Sequence, residues 1–337
     1  MAVVGLDIGG ANLKGATAGG AAVSFPFEIW RDPERLADAL VDLLSKLPAA
    51  DTLAVTMTAE LADCFRTKAE GVDHVLAAVE RIAGHRPVRV WTTAGRFVSP
   101  AEARREPMRV AAANWHALAT WVARRFLRRG CGLLVDIGST TTDIISLCDG
   151  RPAAVGLTDG DRLLSGELVY TGVRRTPLCA VLPEVLFRGQ PCPLAAELFA
   201  TMLDVFLLLE DIADAPDDLQ TANGRPATRI EAWHRLARML CRDANEFTES
   251  DALDAARQFA AAQQTAIATA LDRVLSRQKA GGDVTILSGS GSFLARRVLA
   301  AEGGMRTARI VTLDAELTPA VAEAACAFAV ANLLSNG

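Results

Sequence analysis

The chain has 337 residues and a formal net charge of −5, from 35 basic and 40 acidic side chains. Half of the residues are hydrophobic and 22% are charged, which indicates a folded protein with a buried core and excludes a disordered chain. The acidic balance disfavours nucleic acid or an anionic membrane as a partner. At about twice the length of a typical domain, the chain is expected to form two cores.

The cysteines and the apolar segments indicate a cytoplasmic protein. The seven cysteines are scattered and form no Cys-x-x-Cys pair, which is typical of reduced thiols. The residues after Met1 run directly into a strand pattern and lack the parts of a signal peptide. The most apolar stretch, residues 194–209, contains Glu197 and Asp204 and is shorter than a bilayer-spanning helix. We expect no membrane partner and no nucleic-acid partner.

Residues 1–130 have the pattern of one α/β domain. Apolar runs predict strands at residues 2–8, 13–18 and 21–29, with a glycine turn between the first two. Helices and strands then alternate, with a helix at 33–47, a strand at 53–57, a helix at 72–82, a strand at 88–92 and a helix at 110–126.

Residues 131–337 repeat the pattern of a strand, a glycine turn and a second strand, and they contain an insertion at about 156–249. The insertion predicts a helix at 194–209, a polar loop at 214–226 and a helix at 230–241. The remaining elements are a helix at 252–278, strands at 284–287 and 309–313, and a closing helix at 319–334. We expect domains at 1–130 and 131–337, with the closing helix a candidate to pack back on the first.

Two apolar strands each deliver one aspartate into a glycine turn. Asp7 precedes Gly9 and Gly10, and Asp136 precedes Gly138 and a run of hydroxyl residues. Turn amides can cradle phosphate oxygens while the carboxylates hold Mg²⁺, and two facing halves would bring both aspartates into one cleft. The alternative is that they only end strands and cap turns. The predicted diphosphate-binding residues are Gly9, Gly10, Asn12, Gly138, Ser139, Thr140, Thr141 and Thr142.

These motifs resemble the phosphate loops of the actin, sugar-kinase and Hsp70 ATPase superfamily. Residues 7–10 are similar to its first loop, residues 136–143 to its second, and residues 288–291 to its adenosine-side turn. The resemblance implies two ribonuclease-H-like domains facing a central cleft, with the insertion in the second domain. It also implies that Lys14 contacts phosphate and that Gly289 and Gly291 pack against a nucleotide or a substrate.

More narrowly, the chain resembles a hydantoinase-A-like branch of proteins linked to tetrahydromethanopterin-dependent C1 transfer. The motifs that carry this resemblance are residues 9–14, 57–61, 136–143 and 163–177. One departure is Asn223, where the branch leads us to expect aspartate. The resemblance implies a synthase of methanofuran or methylofuran biosynthesis, which joins a furan-methyl diphosphate to the phenol of a γ-glutamyl-tyramine or γ-glutamyl-tyrosine acceptor and releases pyrophosphate.

That chemistry assigns roles to further residues. Asp7 and Asp136 would hold Mg²⁺, and Lys14 would stabilise the leaving group. Glu60 is the candidate base for the phenol, with a helix-start or solvated glutamate as the alternative. Tyr170 could stack on an aromatic substrate or belong to the core. The predicted substrate-binding residues are Arg162, Glu167, Tyr170, Arg174, Arg175, Gly289 and Gly291. For the three arginines the alternatives are solvated surface charges or contacts to the diphosphate.

Two other functions stay open at this point. The same loops would serve an ATP-dependent kinase or a hydantoinase-type ATPase, and a catalytically silent assembly protein is a third reading. We expect small-molecule substrates as partners, with a homodimer as one option for the assembly.

Overall fold

The computed structural model describes residues 2–277, 282–301 and 309–336. Its first sheet has the strand order β3-β2-β1-β4-β5-β6. The strands are β1 (Val3–Ile8), β2 (Asn12–Thr17), β3 (Ala22–Pro26), β4 (Thr52–Met57), β5 (Val88–Trp91) and β6 (Phe97–Val98). The accompanying helices are α1 (Leu36–Ser45), α2 (Lys68–Ala83), α3 (Pro100–Arg105) and α4 (Asn114–Phe126).

The second sheet has the order β10-β8-β7-β13-β14, with β9 beside β8, and β11 and β12 form a separate hairpin. The strands are β7 (Cys131–Ile137), β8 (Thr142–Cys148), β9 (Arg151–Pro152), β10 (Leu168–Val169), β11 (Glu184–Phe187), β12 (Gln190–Pro193), β13 (Val284–Ser288) and β14 (Arg309–Thr312). The helices are α5 (Asp159–Ser165), α6 (Met202–Leu208), α7 (Arg229–Met239), α8 (Glu249–Leu275), α9 (Ser292–Ala301), α10 (Leu313–Glu316), α11 (Pro319–Glu323) and α12 (Ala325–Ser335).

The two sheets are built the same way around their first strands. β1 pairs antiparallel with β2 and parallel with β4, and β7 pairs antiparallel with β8 and parallel with β13. Every residue of β1 is buried, as expected for a central strand covered on both faces. The mixed α/β architecture confirms the predicted fold class, and the matched pairing is consistent with a duplication of ribonuclease-H-like units.

Helices α4 and α12 connect the two units. Leu118 and Val122 of α4 belong to an apolar cluster with Leu134 and Ile145 of the second sheet. In contrast, α12 packs on β1 and β4 of the first sheet and also contacts α4. A Cβ atom on Gly5 of β1 would overlap the backbone of α12, so glycine permits this close approach. The position of β1 thus depends on the last helix of the chain.

Several predicted helices differ from the observed ones. The helix expected from residue 110 begins at Asn114, because residues 107–109 form a 3-10 turn and Ala112 has a left-handed backbone with φ of 47°. The helix expected at 194–209 covers only Met202–Leu208, and the closing helix is divided at Ala324. Residue 278, the predicted end of the longest helix, lies outside the described residues.

Over the described ranges, no helix combines the length and the apolarity needed to cross a membrane.

Candidate active site

The two glycine turns have matching backbone geometry. The Gly9 amide donates to the Asn12 carbonyl at 3.0 Å, and the Gly138 amide donates to the Thr141 carbonyl at 2.9 Å. Each turn joins a buried central strand to its antiparallel neighbour. The duplication therefore extends from the topology of the sheets to the local conformation of the predicted phosphate loops.

Asp7 is the buried carboxylate of the first turn. Its residue is 7% exposed, and Oδ1 has no hydrogen-bond partner among the described residues. Burial raises the pKa of Asp7, while the charge of Lys14, its register partner on β2, opposes the rise. An unpaired buried carboxylate is costly, so this group is suited to a cation that comes from outside the chain.

Asp136 is the equivalent carboxylate of the second turn, and its register partner on β8 is Asp143. Burial and then the charge of Asp143 raise the pKa of Asp136 to about 7, against a hydrogen bond from Ser288. Lys14 and Asp7 also act on Asp136 electrostatically. The structure therefore brings the two predicted aspartates and Lys14 into one cleft.

This donor set fits Mg²⁺. Within the described ranges, no group of three His, Cys, Asp or Glu side chains could hold a metal ion on its own. Mg²⁺ nevertheless commonly takes one or two carboxylates and completes its shell with water and substrate phosphate. The free Oδ1 atom of Asp7 is a hard oxygen donor of this kind. The site is therefore suited to a metal that arrives together with a phosphate group.

The second turn rests on the segment that follows β10. The amides of Val173 and Arg175 donate to the carbonyls of Gly138 and Ser139, each within 3.0 Å. A Cβ atom on Gly172 would overlap the turn backbone. The hydroxyl of Thr142, predicted to face phosphate, is buried and donates to the Thr171 carbonyl instead. That prediction is wrong for the Thr142 side chain, whereas Ser139, Thr140 and Thr141 remain partly exposed.

Arg162 is buried rather than facing a substrate. Its side chain is 2% exposed, pairs with Asp143 and Asp159, and lies 4.2 Å from the ring centroid of Trp115. The prediction that Arg162 contacts a substrate is therefore wrong for this structure. Its charge is already paired with two carboxylates of the chain. Arg162 holds Asp143, the register partner of Asp136.

Glu167 and Arg174 also have partners within the protein. The buried Glu167 carboxylate accepts hydrogen bonds from the amides of Val155 and Gly156, and Arg174 pairs with Asp218. Tyr170 is 64% exposed, so the alternative of a core tyrosine is wrong. To contact a substrate as predicted, Glu167 and Arg174 would have to give up these internal partners.

Arg175 differs from the other two arginines. Within the described part of the chain its guanidinium makes no ion pair, and it lies 5.0 Å from the ring centroid of Trp30 in the first unit.

Gly289 and Gly291 pack against the end of β7. Gly289 has φ of +83°, and a Cβ atom there would overlap Ile137 and crowd Asp136 Oδ1. A Cβ atom on Gly291 would also overlap the Ile137 side chain. These glycines therefore have a packing function in positioning Asp136, beyond the predicted substrate contact.

Glu60 follows β4, at the same sheet edge as Asp7. It lies in the first turn of the short 3-10 helix Ala59–Leu61, as the helix-start alternative has it, but it is 1% exposed, so the alternative of a solvated glutamate is wrong. Its Oε2 has no hydrogen-bond partner among the described residues. Burial, with a smaller contribution from Asp159, raises the pKa of Glu60 to about 7, while the amides of Glu60 and Ala112 oppose the rise. A carboxylate of this kind can accept a proton near neutral pH.

Sequence reasoning did not single out Asp143, Cys326 or Trp30 as site residues. Asp143 could have been found, because it occupies the position in the second hairpin that Lys14 occupies in the first. Cys326 lies on α12, and burial together with Asp7 and Asp136 raises its pKa well above the ordinary thiol value. Its alanine-rich surroundings carry no motif. Asn223, the departure noted above, accepts a hydrogen bond from the buried Arg235.

Comparison with known proteins identifies relatives of this chain in sequence and in fold. The hydantoinase/oxoprolinase family model matches residues 51–335. A protein from Methanocaldococcus jannaschii named (4-{4-[2-(gamma-L-glutamylamino)ethyl]phenoxymethyl}furan-2-yl)methanamine synthase is 36% identical over 259 residues, 76% of each chain. A protein of the same name from Methanococcus vannielii is 30% identical over 60% of this chain and 90% of its own. In fold, nucleotide-free acetone carboxylase is similar, with a TM-score of 0.51 and 14% identity over 90% of this chain and 46% of that one.

The burial of Glu60 predicts a specific pH dependence of stability. Its folded-state pKa of about 7 lies above the ordinary value of 4.5, so the folded protein binds the proton more tightly than the unfolded chain. The contribution of this proton to the free energy of unfolding is therefore fully present below pH 4.5. It is lost as the pH rises through 7, which lowers the free energy of unfolding by up to about 3 kcal/mol. Glu60→Gln should remove this loss and be more stable than the native protein at pH 8.

Urea denaturation at a series of pH values measures this difference, with exposed Glu34→Gln as the control variant. The same pH dependence in Glu60→Gln and in the native protein would contradict the assignment of a raised pKa to Glu60.

Proposed function

Because this chain belongs to the hydantoinase/oxoprolinase family, we propose that it acts as the synthase relatives do and forms an aryl-alkyl ether. The substrates would be an (aminomethyl)furan-methyl diphosphate and the phenol of a γ-glutamyl-tyramine or γ-glutamyl-tyrosine acceptor. Pyrophosphate would leave. The proposal is supported by the 36% identity to a synthase whose name contains this phenoxymethyl-furan linkage, in a chain with two matched glycine turns.

The turns would bind the diphosphate of the furan substrate. Amides of the first turn, residues 9–12, and of the second, residues 138–141, are the donors suited to phosphate oxygens. Asp7 and Asp136 would hold Mg²⁺, which when bound neutralises charge on the leaving diphosphate. Lys14 supplies a further positive charge on the same side of the cleft, and a fixed charge of this kind stabilises a leaving anion by several kcal/mol.

The reaction itself is a substitution at the furan-methyl carbon. The bond from this carbon to the diphosphate oxygen breaks, and its electron pair leaves with the diphosphate. The phenol oxygen then supplies the pair that forms the ether bond. Glu60 takes the phenol proton, a role that suits a carboxylate with a pKa of about 7 better than one with an ordinary value. No nucleotide is required, because the bond energy resides in the substrate diphosphate.

The proposal extends to the organisation of the chain. Residues 1–130 would form the domain that supplies Asp7, Lys14 and Glu60, and residues 131–337 the domain that supplies Asp136, with the insertion contributing substrate contacts. Small molecules would be the only ligands of the cleft. A cytoplasmic location, a homodimer and the lack of a nucleic-acid partner stay predictions from the sequence.

Turnover should proceed without ATP. Purified protein incubated with Mg²⁺, the furan diphosphate and γ-glutamyltyramine should yield the ether, detected by mass spectrometry, and one pyrophosphate for each ether. Heat-denatured protein is the control. Stoichiometric release of ADP or AMP in a reaction that requires added ATP would instead support the kinase or ATPase alternative.

Asp7→Asn and Asp136→Asn should each lower kcat/KM by about 10²–10³-fold or more while the protein stays folded, because each removes a charge that faces the cleft rather than the core. Circular dichroism and thermal unfolding report the fold, and ether formation reports the activity. Asp42→Asn, on an exposed helix position, is the matched control. Near-normal turnover in either cleft variant at saturating Mg²⁺ would show that its carboxylate does not hold the metal.

A further inference from the structure

Trp30 lies beside the first phosphate turn. The amides of Phe27 and Ile29 donate to the carbonyls of Ala11 and Gly10 at 3.0 and 3.1 Å, so the segment before Trp30 is fastened to the turn. The indole is partly exposed, and no aromatic ring of the described chain stacks on it. This places an open aromatic face next to the predicted diphosphate cradle.

Arg175 reaches the same ring from the second phosphate turn. Its amide donates to the Ser139 carbonyl at 2.9 Å, and its exposed guanidinium lies 5.0 Å from the Trp30 ring centroid. The contact therefore spans the cleft between the two turns. Arg175 forms no ion pair among the described residues, and its guanidinium lies over the indole face instead. A ring that holds a cation in this way presents its negative face to the cleft.

We propose that the Trp30 face is the surface on which the furan-methyl group of the substrate binds, and that Arg175 is the resident cation that the substrate displaces. This rests on the proposed function. A diphosphate held on the amides of the first turn would leave its organic group next to Trp30, which is fastened to that same turn. Trp30 would then be a catalytic residue that touches the reacting group.

The physical reason is the charge that develops during the reaction. As the bond to the diphosphate oxygen breaks and the electron pair leaves, the furan-methyl carbon and its ring gain positive charge. The indole face attracts that charge as it attracts the guanidinium in the structure. The phenol oxygen then forms the new bond, and its proton passes to Glu60. Trp30 changes no bond; it stabilises the cationic carbon before the phenol oxygen closes the ether.

The displaced Arg175 would gain an anionic partner. Its planar fork pairs with a carboxylate or a phosphate, and both chemistries enter the cleft with the two proposed substrates. Arg162 and Arg174 cannot make this exchange without leaving Asp143, Asp159 or Asp218.

Tyr170 is the rival aromatic residue for this role. It is exposed and lies near the second turn in sequence, but no cation of the described chain stacks on its ring. The observed occupation of Trp30 by a guanidinium decides between the two.

The test compares Trp30→Leu, Trp30→Phe and Tyr170→Leu with the native protein in the ATP-free ether assay. Trp30→Leu keeps an apolar side chain without a π face and should lower kcat by about 30-fold, since a desolvated cation over indole is worth about 2 kcal/mol. Trp30→Phe should recover part of the loss, and Tyr170→Leu should lower kcat less than Trp30→Leu does. Binding of inorganic pyrophosphate with Mg²⁺, measured by calorimetry, should be the same in all four proteins.

Each outcome separates this inference from the proposed function. If the native protein forms no ether, the proposed function is wrong, and this inference falls with it. If the native protein forms the ether and Trp30→Leu does so at the native rate, only this inference is overturned. A loss in Tyr170→Leu instead of Trp30→Leu would overturn it as well. A fall in pyrophosphate affinity equal to the fall in kcat would show that Trp30 merely maintains the turn.

Discussion

The burial of two carboxylates at the ends of equivalent strands is the constraint on which this structure depends. Asp7 and Asp136 are held in the cleft with less compensation than buried charges require, and burial is the largest cause of the raised pKa of each. They stay in place because the backbone around them is fixed by sheet pairing, by Ser288 and by the close approach of Gly289. Two buried carboxylates with raised pKa values are suited to binding a cation from outside the chain, which is the property that the proposed metal-assisted diphosphate chemistry would use.

The duplication is asymmetric in charge, and the asymmetry has a chemical consequence. Lys14 occupies the register position opposite Asp7, whereas Asp143 occupies the one opposite Asp136. In the first half the cation, Lys14, thus lies opposite the strand-end aspartate. In the second half the cation, Arg162, is buried and pairs with Asp143. Where Asp7 and Asp136 are ionised they repel a free diphosphate, and a metal that binds together with the diphosphate would remove this repulsion. Lys14 is then placed to meet the leaving group.

The part of the site that could be predicted consists of motifs whose residues are neighbours in the sequence. An apolar strand, an aspartate and a glycine turn occur twice, and this pattern predicted the two hairpins that carry Asp7 and Asp136 because a β-hairpin is determined by neighbouring residues. Arg162 was misjudged because its partners, Asp143 and Trp115, lie far along the chain or on another element. Trp30 was missed because a single tryptophan after a strand has no pattern of its own. The helix expected at 194–209 was too long, since Thr201 and Asp204 form a capping box that begins the helix at Met202.

The central claim is that the two turns together hold a diphosphate. A crystal structure of the protein with Mg²⁺ and inorganic pyrophosphate tests it most directly. The account predicts pyrophosphate oxygens within hydrogen-bond distance of amides in both residues 9–12 and 138–141, with the metal ion between the phosphate and the carboxylates of Asp7 and Asp136. Pyrophosphate bound to one turn only, or with a metal that contacts neither carboxylate, would contradict it.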